Sequence, residues 1–343
     1  MRLPLLLAVL SYATPACPDP IFGGLTSTGL QFDQTEAVAL IEQDLRIDPD
    51  RITVDYLFRN LTAADVTGEV IFPLPAIEDM DWIRWPRFSD GLPPPEQLVA
   101  FSLTVNGQET LAAVQLAAVL PSRGPPTILR QTDPPYSLGR DVTAHLQRLG
   151  LPVSVDKDVL KPAILALSEG AVREAVALGL LDAADQNYGR GYPRNLWSLS
   201  IRHHWTQTFP AGQDVRISIS YRNLMDGMLF DAASLPASLH SADAARYCVD
   251  DTAFARVAST VRSDSGQVWS VSFSRFILLT AKSWAGPIGR FRLTIDTTDP
   301  SAFAFACLDG MIQTGPMTQL WERTDFRPDR DLEIAFVKRE TPR

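Results

Sequence analysis

The sequence predicts a mainly β protein, an antiparallel sandwich-like architecture with an α-helical insert in the middle of the chain. Three observations carry that expectation. The stretch from Asn195 to Tyr221 alternates with a period of two on both sides of Phe209-Pro210-Ala211-Gly212. Trp197, Leu199, Ile201, His203 and Trp205 point one way, while Ser198, Ser200, Arg202, His204 and Thr206 point the other. Val215, Ile217, Ile219 and Tyr221 repeat the pattern beyond the turn, so the stretch reads as a central hairpin with one buried and one wet face. Similar alternation recurs along the chain, and between Asp141 and Leu181 the apolar spacing changes to steps of three and four.

Taken in order, residues 1–16 read as a secretory signal peptide. Arg2 supplies the positive charge, Leu3 to Leu10 a short apolar run, and Ala13 to Ala16 the small residues before cleavage. A buried N-terminal strand or helix is the alternative. Cys17 follows the expected cleavage point and is the candidate for lipid attachment, although Thr14-Pro15-Ala16 lacks the leucine-led pattern of a lipoprotein signal. The first β-rich part spans residues 20–135. In it Ile52, Val54, Tyr56 and Phe58 alternate, Asn60 to Asp65 turns, and Val66, Val70 and Phe72 return until Pro73-Leu74-Pro75 stops the strand. Asn60-Leu61-Thr62 has the form of a glycosylation sequon and is read as turn chemistry. Val99, Phe101, Leu103 and Val105 form a further strand, closed by the hairpin signal Asn106-Gly107.

The helical insert occupies residues 138–185, with Pro162 and Gly170 expected to divide it into two or three short helices. The second β-rich part, residues 193–343, is expected to pack with the first. Its further strands fall at Val268 to Leu279, Arg290 to Ile295 and Leu332 to Val337.

A chain of 343 residues, 45% hydrophobic and 21% charged, has the composition of a folded globular protein. Its net charge of −9, without a run of Lys and Arg, speaks against a nucleic-acid partner. No stretch reaches the roughly 20 apolar residues of a membrane helix, so no transmembrane segment is expected in the mature chain. The expected compartment is periplasmic or secreted. In that setting Cys248 and Cys307 are natural disulfide partners, the alternative being two buried free thiols.

Two stretches together resemble a known family. Ile52 to Asn60 running to Val70-Ile71-Phe72-Pro73-Leu74-Pro75, and Trp205-Thr206-Gln207-Thr208-Phe209-Pro210-Ala211-Gly212 with Tyr221, are similar to the domain of unknown function 4424 family. Tyr247-Cys248 and Asp325 to Leu332 fit the same pattern, and Cys17-Pro18-Asp19 departs from it. The resemblance implies a secreted bacterial protein and brings no catalytic residues to carry over. The opening stretch also resembles the inter-alpha-trypsin-inhibitor type β-domain over about the first quarter of the chain, which again implies a sandwich.

Catalytic and metal motifs are missing from the sequence. His203 and His204 are adjacent in a strand and point to opposite faces, so they do not converge on one ion. There is no Gly-x-Ser-x-Gly elbow, His-Glu-x-x-His or phosphate loop, and no cofactor is expected. The candidate ligand-binding loop holds Asp79, Asp81, Trp82, Arg84 and Trp85, where aromatic rings beside charges suit a sugar or a peptide. The plainer reading is that both tryptophans cap the end of the sandwich. The resulting expectation is a non-enzymatic periplasmic or secreted protein that binds a protein partner or envelope ligand, or serves the envelope structurally. The alternative is a secreted hydrolase acting on cell-wall or sugar material through loop carboxylates.

Overall fold

The structure, a computed structural model, describes residues 22–26, 29–78, 93–120, 140–182, 191–235, 246–264 and 266–340. It is mainly β. The first sheet has six strands in the order Gly29–Asp33, Phe22–Thr26, Val66–Pro73, Ser198–Phe209, Ala113–Leu120 and Arg140–Asp141. The second has eight: Ile312–Gln313, Thr318–Phe326, Ile288–Asp296, Val38–Ile47, Arg51–Asn60, Asp214–Arg222, Ser102–Val105 and Gln108–Glu109. Every described pairing is antiparallel except Ile288–Asp296 with Val38–Ile47. The third sheet orders Asp226–Phe230, Trp269–Phe276, Leu332–Arg339 and Phe303–Phe305.

The first two sheets face each other across one apolar core. Phe58 of the second sheet meets Phe209 of the first edge-on at 5.7 Å, and Phe72 of the first meets Tyr221 of the second at 5.6 Å. This contact pattern corrects the expected hairpin between Asn195 and Tyr221. Ser198–Phe209 pairs with Val66–Pro73 and Ala113–Leu120, whereas Asp214–Arg222 pairs with Arg51–Asn60 and Ser102–Val105. The two strands are an arch, one in each sheet, joined by Pro210 to Gln213 with Gly212 at φ +62°. Alternation states which face of a strand is buried and is silent about which edges pair. Both readings therefore share the same inward residues, and Leu199, Ile201, Trp205, Ile217 and Ile219 are indeed buried.

The outer face of Ser198–Phe209 is not uniformly wet. Ser198 and Ser200 are buried. His204 carries a hydrogen bond to Glu69 and is mostly covered. Asn60 is buried, its amide donating to the carbonyls of Ala64 at 2.8 Å and Phe209 at 2.7 Å, so the sequon asparagine is a turn anchor. Asn106 and Gly107 both take positive φ, 50° and 79°, in the turn linking Ser102–Val105 to Gln108–Glu109.

The insert holds helices Thr143–Leu149, Lys157–Leu165 and Glu169–Ala177. Pro162 lies inside the second helix and Gly170 inside the third, so neither residue divides them. The break falls between them, where Ser168 caps the third helix by accepting from Ala171 N–H at 3.2 Å. A fourth helix, Asp251–Ser263, and the strands Ala113–Leu120 and Thr318–Phe326 were not anticipated. Asp250 caps the fourth helix and Ala253, Val257, Ala258 and Val261 form its buried stripe.

Cys248 and Cys307 form a disulfide with Cα atoms 4.9 Å apart. The bridge ties the residues preceding the fourth helix to the segment after Phe303–Phe305. Among the described residues, no helix is long and apolar enough to cross a membrane.

Candidate functional site

A cleft of about 490 Å³ opens where the sandwich, the end of the helical insert and the third sheet meet. Local sequence explains why each part arrives there. After Pro73, the chain continues alongside Ser198–Phe209 without regular pairing. Leu74 donates to Ile201 at 2.9 Å, and Ile77 exchanges bonds with Leu199 at 2.9 and 2.8 Å, which carries Glu78 to the cleft. The insert closes with a two-stranded ribbon, Leu181–Asp182 with Arg194–Asn195, and this places Arg194 and Asn195 in the lining.

The floor is stitched by Asn223, which is 1% exposed. Its side-chain amide donates to the carbonyl of Asp48 at 2.7 Å, its backbone N–H to that of Asp50 at 3.0 Å, and its Oδ1 accepts from Ser274 at 2.9 Å. One residue thus joins the second sheet to the third. Arg222, also in the lining, donates to the carbonyl of Leu98 at 2.9 Å.

The third sheet supplies the charged wall. Asp226 pairs with Phe273 in register, and Arg275 stands one diagonal step away on the same face. Arg275 lies 3.9 Å from Asp226 and 3.9 Å from Glu333, beyond hydrogen-bond reach of either. Glu333 is instead forked to the guanidinium of Arg246, which also lies over the Tyr247 ring at 5.8 Å. Tyr247 in turn stacks on Phe273 at 5.1 Å. Desolvation by the cleft walls raises the Asp226 carboxyl above its ordinary range; Glu78 adds to the rise, and Arg275 and Arg246 oppose it. Burial pushes the Tyr247 hydroxyl up to about 12 and raises that of Tyr221 as well, so both stay protonated at neutral pH. Gly227 must be glycine: a Cβ there would stand 2.2 Å from the carbonyl oxygen of Val271.

The loop residues expected to bind, Asp79, Asp81, Trp82, Arg84 and Trp85, lie outside the described residues. Their neighbour Glu78 is in the cleft. Among the described residues no group of three or more His, Cys, Asp or Glu is placed to hold a metal ion. His203 is 2% exposed in the core, stacked on Phe101 with ring centres 3.8 Å apart. Asp250 is a helix cap accepting from Ala253 N–H at 2.7 Å. Asp226 and Arg275, which line the cleft, and Arg246 and Glu333 beside them escaped sequence reading because they converge from four separate stretches. Asp226 does show a signal, a charge opening an otherwise apolar strand.

The family described as "Domain of unknown function (DUF4424)" matches residues 21–335. The chain belongs to this family. No curated protein matches the DUF4424 chain. Among solved structures, a "putative nutrient binding protein" from Legionella pneumophila is similar at 15% identity, covering 93% of this chain and 69% of that one, with a TM-score of 0.41. An M1 zinc metallopeptidase from Deinococcus radiodurans is similar at 10% identity, covering 92% of this chain and 44% of that one, with a TM-score of 0.28.

Proposed function

We propose that this DUF4424 chain is a non-enzymatic binding protein of the bacterial envelope, exported to the periplasm or beyond, that takes a small polar ligand into the cleft. The supporting observation is the pair Asp226 and Arg275, which stand 3.9 Å apart on the wall of a 490 Å³ cleft without a hydrogen bond between them. Opposite charges held close but unbonded keep their donors and acceptors for an incoming group, and the cleft volume is that of a small-molecule site. The signal-like residues 1–16 support export.

A second reading has a specific observation behind it. Glu78 and Asp226 share the cleft, and Asp226 has a raised carboxyl pKa, which is the disposition of an acid–base pair in a secreted hydrolase. Thermal unfolding in the presence of fractionated small molecules from bacterial envelopes separates the two. Binding predicts a fraction that raises the unfolding temperature, is recovered unchanged, and has no effect on Arg275→Gln. Conversion of the fraction by the protein, abolished in Asp226→Asn, would establish the hydrolase and overturn the binding reading.

A further inference from the structure

We infer, resting on the binding reading, that the ligand is a zwitterion with an apolar side chain: a free α-amino acid or a short peptide. Its carboxylate meets Arg275 and its ammonium group meets Asp226 and Glu78. The cleft offers both signs of charge within one small volume. A purely anionic ligand would face Asp226 and Glu78, and a purely cationic one would face Arg275 and Arg194. A neutral ligand would displace water from these groups and return no charge-assisted bond.

Arg275 is the sharpest element. Glu333, the carboxylate that would satisfy it, is already forked to Arg246, and Asp226 stands 3.9 Å away, outside hydrogen-bond reach. The guanidinium is held in place by charge on both sides while making no hydrogen bond among the described residues. A carboxylate entering the cleft completes it with the planar, paired geometry that arginine favours. Asp226, with 48% of its side chain still exposed, points into the same space and accepts from a group attached beside that carboxylate. This is the arrangement of the two charges on an α-carbon.

The remaining lining selects the rest of the ligand. Ile52, Val99, Leu224 and Met228 give an apolar surface for a side chain. Sugar recognition asks for a free aromatic face, and the Phe273 ring is already stacked on Tyr247.

The test is titration calorimetry of the full chain with L-leucine, L-phenylalanine and glycyl-leucine, set against N-acetyl-leucine, leucinamide and glucose. The free zwitterions bind, and capping either end weakens binding by at least about tenfold, the size of one charge-assisted hydrogen bond. Arg275→Gln loses a similar factor for the zwitterions and keeps the wild-type unfolding temperature. Equal affinity for capped and free forms, or binding of glucose alone, overturns the zwitterion and leaves the binding reading standing. Binding of no probe here also overturns it. If no envelope fraction binds in a cleft-dependent way either, the binding reading falls too.

Discussion

On the outer face of the first sheet, His204 Nδ1 and Glu69 Oε1 lie 2.5 Å apart across neighbouring strands, and Thr206 donates its hydroxyl to the other Glu69 oxygen at 3.1 Å. Glu69 is buried, so this group is a hydrogen-bonded unit and not a patch of wet surface. His204→Ala leaves the Glu69 carboxylate short of a partner and should destabilise the protein by about 1–3 kcal/mol, read by urea unfolding. A loss of a few tenths, the value for an exposed site, would show that water replaces the imidazole.

The arch places Ile217, 1% exposed, in the core between the two sheets. Ile217→Ala should cost about 2–5 kcal/mol through the cavity it leaves. The same denaturant experiment checks it, with an unchanged slope expected because the denatured chain is not altered.

Two buried groups set opposing responses to pH. Asp331 accepts from the N–H groups of Leu278 at 2.9 Å and Leu279 at 3.1 Å, yet burial raises its carboxyl pKa from 3.8 to about 6. The folded state then keeps a proton that the unfolded chain releases, so this contribution is present below 3.8 and is lost as pH rises through about 6. His203 behaves in the opposite sense. Burial, with His204 adding to it, lowers its pKa from 6.5 to about 4, so its contribution is present above 6.5 and is lost as pH falls through that window. Calorimetry at pH 7 and pH 5 should show the two roughly cancelling in the wild type. Relative to it, Asp331→Asn should lose stability on acidification and His203→Phe should gain. Parallel shifts in all three proteins would mean that neither group titrates as its burial dictates.

The disulfide closes a loop between residues 59 apart in sequence. Replacing both cysteines by serine should lower stability by roughly 4 kcal/mol in the chain-entropy model. Because Arg246 and Tyr247 immediately precede Cys248, hydrogen exchange should show the loss of protection concentrated on the third sheet and the fourth helix. An even loss across all three sheets would contradict a local tether.

The strands with strict alternation were legible in the sequence, and so was the side each buries: Ile52 and Val54, Ile217 and Ile219, Leu199 and Ile201 all lie inside. Pairing was not, because a turn such as Pro210 to Gln213 connects strands within one sheet or across two with the same residues. Ala113–Leu120 was missed since AVQLAAVL has no polar alternation, its inward and outward sides both being covered in part. The helix Asp251–Ser263 was passed over because its buried stripe is made of alanines and valines, weaker in hydrophobic contrast than leucines. The cysteine pair was legible from the cysteine count and the expected compartment alone. The cleft was not, since Glu78, Arg194, Asp226 and Arg275 come to line one space only when the separate sheets meet.

Native mass spectrometry tests the central claim most directly. The protein, expressed with its residues 1–16 and recovered from the envelope fraction, should carry one small-molecule adduct per chain, and Arg275→Gln prepared identically should carry none. An adduct of the same mass and occupancy on both proteins, or a bare chain in both after incubation with envelope extract, would contradict a ligand held in this cleft.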